Sequence, residues 1–476
     1  MQKATSLVNC IATPNTWWWE SSVLYFNGDG LDPSDGTEPW EYCLSGLTTV
    51  TNGIQMQGCT NCTVSGIYFR YLVAAASSNY FIIGSGSGNV ITDCVGYYCG
   101  RHHFGFVDSG TGINTNNTIR RCKMYGGGVD ATAGTQSVFY CDDFNVIGAL
   151  VEDCEYYIYQ AYDITGSLFN SSVNQDGGYS HTAGTTTVTD ITYRRCYFKC
   201  FTGANNRWID FGNPGVVPSF ANGWTRSAYG NIISDCTFEN AGTPVARTLP
   251  VGAWFERCIF LLGNTGSIAQ PSTGNGQTML SACHVTAPKS AGGRMIGMTD
   301  SSAANYTDLF LMNTSVVNTS TNSTNTIGIV TGTGGRSRIS AHNCIFQPRT
   351  GGSNGVLLAD DGSIATANLD FANNWYAYVG TYSASTSRDT QAEWSATVDT
   401  ETDSDYTTIP AWLSATTSPQ PSAKSSSGLP RITSPEHEPT VGINGGSFSD
   451  NFGPWQFGVV YTTAGGGRRR PIYIFD

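Results

Sequence analysis

The chain has 476 residues, 56 of them Gly, and Asp, Glu, Lys and Arg together supply only 13%, about half the share of an average soluble domain. That composition excludes a coiled coil, a long helical bundle and a charge-rich disordered chain. With 24 basic against 36 acidic residues the net charge is −12, which repels a phosphate backbone, and no run approaches the ~18 apolar residues of a membrane span, so neither nucleic acid nor membrane insertion is expected.

The N-terminus, MQKATSLVNCIATPNTWWWESS, has no apolar run with a small-residue cleavage site and does not read as a secretory leader. Yet a surface of Ser, Thr, Asn and Gly is typical of proteins that persist outside cells. Either a leader precedes this sequence or release is by lysis, as for virion proteins, so the expected location is extracellular or virion. Thr16 to Phe26, TWWWESSVLYF, alternates apolar residues before the turn-rich NGDGLDPSDG and predicts a hairpin. Residues 1–50 are therefore read as a segment that caps an open core, because terminal units of a repeat array need capping; stacking of the Trp rings on sugar is the other use open to them.

From residue 51 to 375 one short phrase returns. Cys94, Cys122, Cys154, Cys196, Cys236, Cys258, Cys283 and Cys344 each follow a corner-type residue, as in Asp93, Arg121, Asp153, Arg195, Asp235 and Arg257. Three residues before the cysteines stand Ile91, Ile119, Val151, Tyr193, Ile233, Phe255, Leu280 and Ala341, and two residues after most of them stand Met124, Tyr156, Phe198, Phe238, Phe260, Val285 and Phe346. Leu311, Thr314 and Val316 repeat the phrase with Thr in the Cys place. The intervals run from 22 residues (Cys236 to Cys258) to 42 residues (Cys154 to Cys196). A period in that range means stacked units, and the Ile, Val, Tyr, Phe and Thr content makes them β units. The offset of two between Cys and Phe keeps both on one strand face, whereas the offset of three back to Ile requires a corner, such as Ser234-Asp235, for all three to point inward. Stacking then makes an internal Cys column and an aromatic stack. Packed free thiols and cross-rung disulfides are both open to the column, and Cys59 with Cys62 forms one CxxC without the second pair that a zinc site needs.

Through phrases such as NIISDCTFEN and SRISAHNCIF, the stretch from Thr51 to Asn374 resembles the right-handed parallel β-helix superfamily of pectate-lyase-like and phage tailspike-like proteins. The resemblance implies an all-β solenoid, here of about ten coils, and two kinds of activity. One is a virion-associated structural protein, tailspike-like or fibre-like, that contacts host surface polysaccharide. The other is an extracellular polysaccharide lyase or glycoside hydrolase. The Gly-His-Gly and Arg-x-Lys motifs of the polygalacturonase-like hydrolases are absent, so no catalytic residue carries over from the resemblance.

Residues 376–464, rich in Ser, Thr, Asp and Pro, predict a wrap laid along the solenoid with one further strand at Phe452 to Tyr461. Residues 465–476, GGGRRRPIYIFD, join a flexible spacer to three cations and a β-prone end. That tail predicts docking on another copy or another virion protein by strand addition.

For chemistry, Asp108, Asp142, Asp210, Asp300 and the Asp360-Asp361 pair follow or end apolar strand-like segments and suggest an acidic row at one corner of the coils. Asp residues also satisfy turns, which is the plain account. In the functional account, paired carboxylates run acid/base hydrolysis of a glycosidic bond, and Ca²⁺ is the one cofactor they could hold. The longest insertions surround Cys196, so the candidate site is Asp142, Asp143, Asp210, His181 and Arg207, with Asp163 and Asp176 nearby. His102 and His103 are a second candidate, one facing inward and one outward by alternation.

Overall fold

The computed structural model describes short strands among residues 2–27 and the strands and turns of residues 52–398. The longer connections, among them 71–78, 98–101, 108–112, 126–135, 159–174, 181–187, 201–206 and 211–225, and residues 28–51 and 399–476, lie outside the described residues. The chain is an all-β parallel β-helix. Its first wall is an eleven-stranded parallel sheet from Thr63–Ser65 to Leu369–Ala372, and its second wall is another eleven-stranded parallel sheet from Tyr68–Arg70 to Trp375–Tyr376. A third wall comprises a seven-stranded sheet that begins at Asn52–Gln55 and a six-stranded sheet that ends at Val379–Ser383. The expected count of about ten coils is thus eleven in both long walls.

The sequence phrase maps onto one corner of each coil. Ile233 ends up inside the first wall, Asp235 turns the chain, and Cys236 and Phe238 point back inward from the second wall, all three apolar side chains being at most 1% exposed. The expected two-residue corner is a single left-handed residue, as Asp93, Arg121, Asp153, Arg195, Asp235, Arg257, Ala282 and Asn313 all have φ between 51° and 58°. Hydrogen bonding continues straight through the corner: the N–H of Asp153 donates to the Arg194 carbonyl of the next coil, and that of Tyr197 donates to the Cys154 carbonyl of the previous one. The backbone ladder thus carries on across the bend, which buried polar groups there demand.

The eight cysteines of the phrase form one buried column of free thiols. Each donates to the carbonyl two residues before it, as Cys154 does to Glu152 (3.2 Å) and Cys236 to Ser234 (3.2 Å). Thr314 does stand in the Cys place, fully buried, with its hydroxyl 2.9 Å from the Leu280 carbonyl and 3.0 Å from that of Met312. Asn374 completes the column after Cys344, accepting from the Cys344 N–H at 2.9 Å. Beside it runs the expected aromatic stack, Tyr156, Phe198, Phe238 and Phe260, with ring centroids 4.9 Å, 5.0 Å and 5.0 Å apart. Each such ring, once removed from water, contributes ~1.5–3 kcal/mol.

A second corner, which the phrase does not reveal, lies between the third and first walls. Asn61, Gly88, Asn116, Gly148 and Asp190 are left-handed there. At Gly148, whose φ is 70°, a Cβ would stand 2.4 Å from the Asn116 side-chain oxygen and force that side chain to shift. Inside this corner, Asn89, Asn117 and Asn231 are at most 2% exposed and bond to the backbone of the preceding coil.

At the N-terminal side, Thr16–Glu20 and Val23–Asn27 pair antiparallel, with Trp17 beside Phe26 and Trp19 beside Leu24, so the predicted hairpin is present. At the opposite end a helix, Gln391–Thr397, follows the last strand, within the stretch expected to be a wrap. Thr390 and Glu393 form its capping box, and Trp394, fully buried, sits on Phe371 at 4.9 Å and donates from its ring N–H to the Tyr376 hydroxyl. The expected strand at 452–461 and the tail 465–476 lie outside the described residues.

Candidate functional site

The third wall carries the sequence candidates. Asp142 ends the strand Phe139–Asp142 and pairs with Val107 of the preceding coil, and Asp210 ends Arg207–Asp210 and pairs with Tyr179. Arg207 opens that same strand beside Asp176. Asp142, Asp210 and Arg207 are described by their backbone placement; Asp143 and His181 lie outside the described residues. Tyr140 and Asp210 both pair with Tyr179, so Asp142 stands two coils and two residues away from Asp210. At ~4.8 Å per coil and ~3.3 Å per residue their Cα atoms are about 12 Å apart.

The acids do end strands, but they do not stack in one column. Asp142 faces Val107, Asp210 faces Tyr179, and Asp300, at the end of Arg294–Asp300, faces Thr331. Strands of different length bring their ends out at different levels, and equal spacing to the Cys column did not account for that. Of the histidine pair, His103 is fully buried beside the core residue Phe104, and the His102 backbone pairs with Asn79.

The outer face of the second wall offers a row of functional groups that the sequence candidates did not include. Lys123 pairs with Glu155 at 3.1 Å and Lys199 with Glu239 at 2.8 Å, each pair spanning two coils. Tyr125 and Tyr157 stack at 4.6 Å with their planes 4° apart, Tyr157 donates to Glu155 at 3.0 Å, and Tyr197 donates to Glu239. Burial, then the hydrogen bond and charge of Glu155, pushes the Tyr157 phenol up, so it stays a proton donor at any physiological pH. These residues are half-buried, in contrast to the outer face of the first wall from Trp254 onward. There Trp254, Met279, Phe310 and Met312 are at most 3% exposed, and Asp308 is buried with them while its ion-pair partner Arg338 (2.6 Å) stays 29% exposed. The signal for the row lay one and three residues after each cysteine: Lys123 and Tyr125, Glu155 and Tyr157, Tyr197 and Lys199.

Along the edge between these walls the corner residues pair bidentately: Arg121 with Asp93, Arg195 with Asp153, and Arg257 with Asp235, at 2.7 to 2.9 Å. The Arg121 guanidinium holds the Asp93 carboxyl below the usual carboxylate range. Glu152 joins Arg194 and Arg195, and Glu256 joins Arg226 and Arg257. Together the row and the edge set out donors, acceptors and aromatic edges at the coil repeat. Among the described residues no three His, Cys, Asp or Glu side chains are grouped to hold a metal ion. No family model, curated protein or solved structure matches the chain.

Proposed function

We propose that the chain is a rod-like structural protein of a virion, of the tailspike or fibre kind within the pectate-lyase-like superfamily, and that it contacts host surface polysaccharide along the outer face of the second wall. The observation that supports this reading is the half-exposed row Lys123, Tyr125, Glu155, Tyr157, Tyr197, Lys199 and Glu239 on an eleven-coil scaffold. A sugar polymer has apolar C–H faces rimmed by hydroxyls, and a row of phenols, ammonium groups and carboxylates repeating along one axis matches both features. A solenoid supplies such a row without bending, because each coil fixes the next. Binding of purified bacterial surface polysaccharides by calorimetry tests it: Tyr125→Ala with Tyr157→Ala should weaken binding at least tenfold, and unchanged affinity would reject this face. Antibody labelling of intact particles tests the virion assignment.

The second reading is a polysaccharide lyase or glycoside hydrolase acting on the third wall, outside the cell. It rests on Asp142 and Asp210 ending strands of the same sheet, with Arg207 beside Asp176. Release of reducing ends from a bound polymer, lost in Asp142→Asn and Asp210→Asn, would favour it.

A further inference from the structure

Among the cysteines whose side chains are described, eight are sealed in the column and two reach solvent: Cys62 is exposed and Cys59 half-buried. These two flank the left-handed Asn61 at the second corner of the first coil. A single side chain from the next coil spans them. Asn89, itself 1% exposed, donates from Nδ2 to the Cys59 carbonyl at 2.9 Å and accepts with Oδ1 from the Cys62 N–H at 3.0 Å. From the same coil the Ser87 N–H donates to the Cys59 carbonyl and the Val90 N–H to the Cys62 carbonyl. The backbone of both cysteines is thereby fixed by four hydrogen bonds.

The next coil shows what these positions ordinarily do. Asn117 repeats the clamp, accepting from the Asn89 N–H at 2.9 Å and donating to the Gly86 carbonyl at 3.4 Å, so Gly86 and Asn89 occupy the places of Cys59 and Cys62. An Asn in the Cys62 place serves the coil before it. Among the described residues no coil precedes this one in the first wall, whose first strand is Thr63–Ser65, so no described backbone needs an Asn in the Cys62 place. The two thiols act on each other: burial, then the charge and hydrogen bond of Cys62, raises the Cys59 thiol. Each sulfur donates to the carbonyl two residues before it over a longer distance than the column thiols do, Cys59 to the Gln57 carbonyl at 3.9 Å and Cys62 to the Thr60 carbonyl at 3.7 Å.

We propose that Cys59 and Cys62 are a dithiol that a low-molecular-weight disulfide converts to an intramolecular disulfide across this corner. The exposed Cys62 thiolate attacks one sulfur of the small disulfide and expels one thiol, leaving a mixed disulfide on Cys62. Cys59 then loses its proton and attacks the Cys62 sulfur, expelling the second thiol. Two protein thiols are oxidised and one small disulfide is reduced to two thiols. Because the clamp holds the backbone in place for both states, closure asks only for side-chain rotation, whereas the column cysteines have no access for the first attack.

The full-length protein, reduced and freed of reductant, is incubated with glutathione disulfide, alkylated and digested for mass spectrometry. The expected products are a Cys59–Cys62 disulfide reversed by dithiothreitol, unreacted column cysteines, and, in Cys59→Ser, a glutathione adduct trapped on Cys62. Phenylarsine oxide, which needs two adjacent sulfurs, should bind native wild type with one equivalent more than it binds Cys62→Ser. The proposal is overturned if wild type keeps both thiols alkylatable after oxidation, if it stops at a stable Cys62 adduct, or if Cys62→Ser binds the arsenical as wild type does.

Discussion

Arg195 sits at a left-handed corner where a non-glycine residue carries roughly 1 kcal/mol of strain, and it also makes bidentate contact with Asp153 and reaches Glu152 at 3.0 Å. Two substitutions separate these effects. Arg195→Gly removes the strain and both ion pairs; with the pair partly exposed, the lost attraction is at most about 1 kcal/mol, so the two changes nearly cancel and stability should stay within about 1 kcal/mol of wild type. Arg195→Val removes the same ion pairs but forces a β-branched side chain to the same φ, adding a further ~1–2 kcal/mol, for a total loss of about 2–3 kcal/mol. Urea unfolding followed by circular dichroism measures both, and repeating it at high salt shrinks the ion-pair share alone. If the Gly variant falls as far as the Val variant, the pair rather than the backbone dominates the corner. If neither falls, the left-handed turn is not a determinant of this fold.

Phe198→Ala, in the middle of the aromatic stack, should cost about 3–5 kcal/mol in the same assay, and a loss under 1 kcal/mol would mean that the stack collapses around the gap. Thr314→Cys should be near neutral because a cysteine meets the same two carbonyls, whereas Thr314→Val leaves the Cys283 N–H without its acceptor at 3.3 Å and should cost about 1–3 kcal/mol. Burial lowers the His284 pKa to about 4, below its unfolded value near 6.5. The unfolded chain therefore takes up a proton first, so stability should decline as pH falls from about 6.5 to about 4 and show no further His284 contribution below that; His284→Gln should flatten this limb in a pH series of urea midpoints.

The solenoid was legible because its signal repeats: an inward Ile, a corner, an inward Cys and an inward Phe are imposed by the same geometry on every coil, and even Thr314 is recognisable by position. The hairpin at Thr16 to Phe26 was legible from alternation. The left-handed φ of the corner was hidden, since Arg121, Arg195 and Arg257 are not residues that announce it; only Asp and Asn hint at it. The cap helix had a readable start, Thr390 followed three residues later by Glu393, but seven residues are too few for apolar periodicity to show. The acidic candidates failed as a column because distance along the chain to the next cysteine does not fix the level at which a third-wall strand ends. The Tyr, Lys and Glu row was hidden because the inward Ile, Cys and Phe carry the repeat's strongest signal, although the row recurs in the same phrase.

The corner pairs have an implication for how the chain finds its threading. Along that edge the charges alternate singly with each coil: Asp93, Arg121, Asp153, Arg195, Asp235, Arg257. The inward residues of successive coils are so alike that sliding one part of the solenoid past another by a single coil would still bury Ile, Cys and Phe against Ile, Cys and Phe. The same slide would bring Asp onto Asp or Arg onto Arg where the two parts meet. A proofreading rule of odd and even is thus written on the surface, where the interior alone would accept the wrong answer.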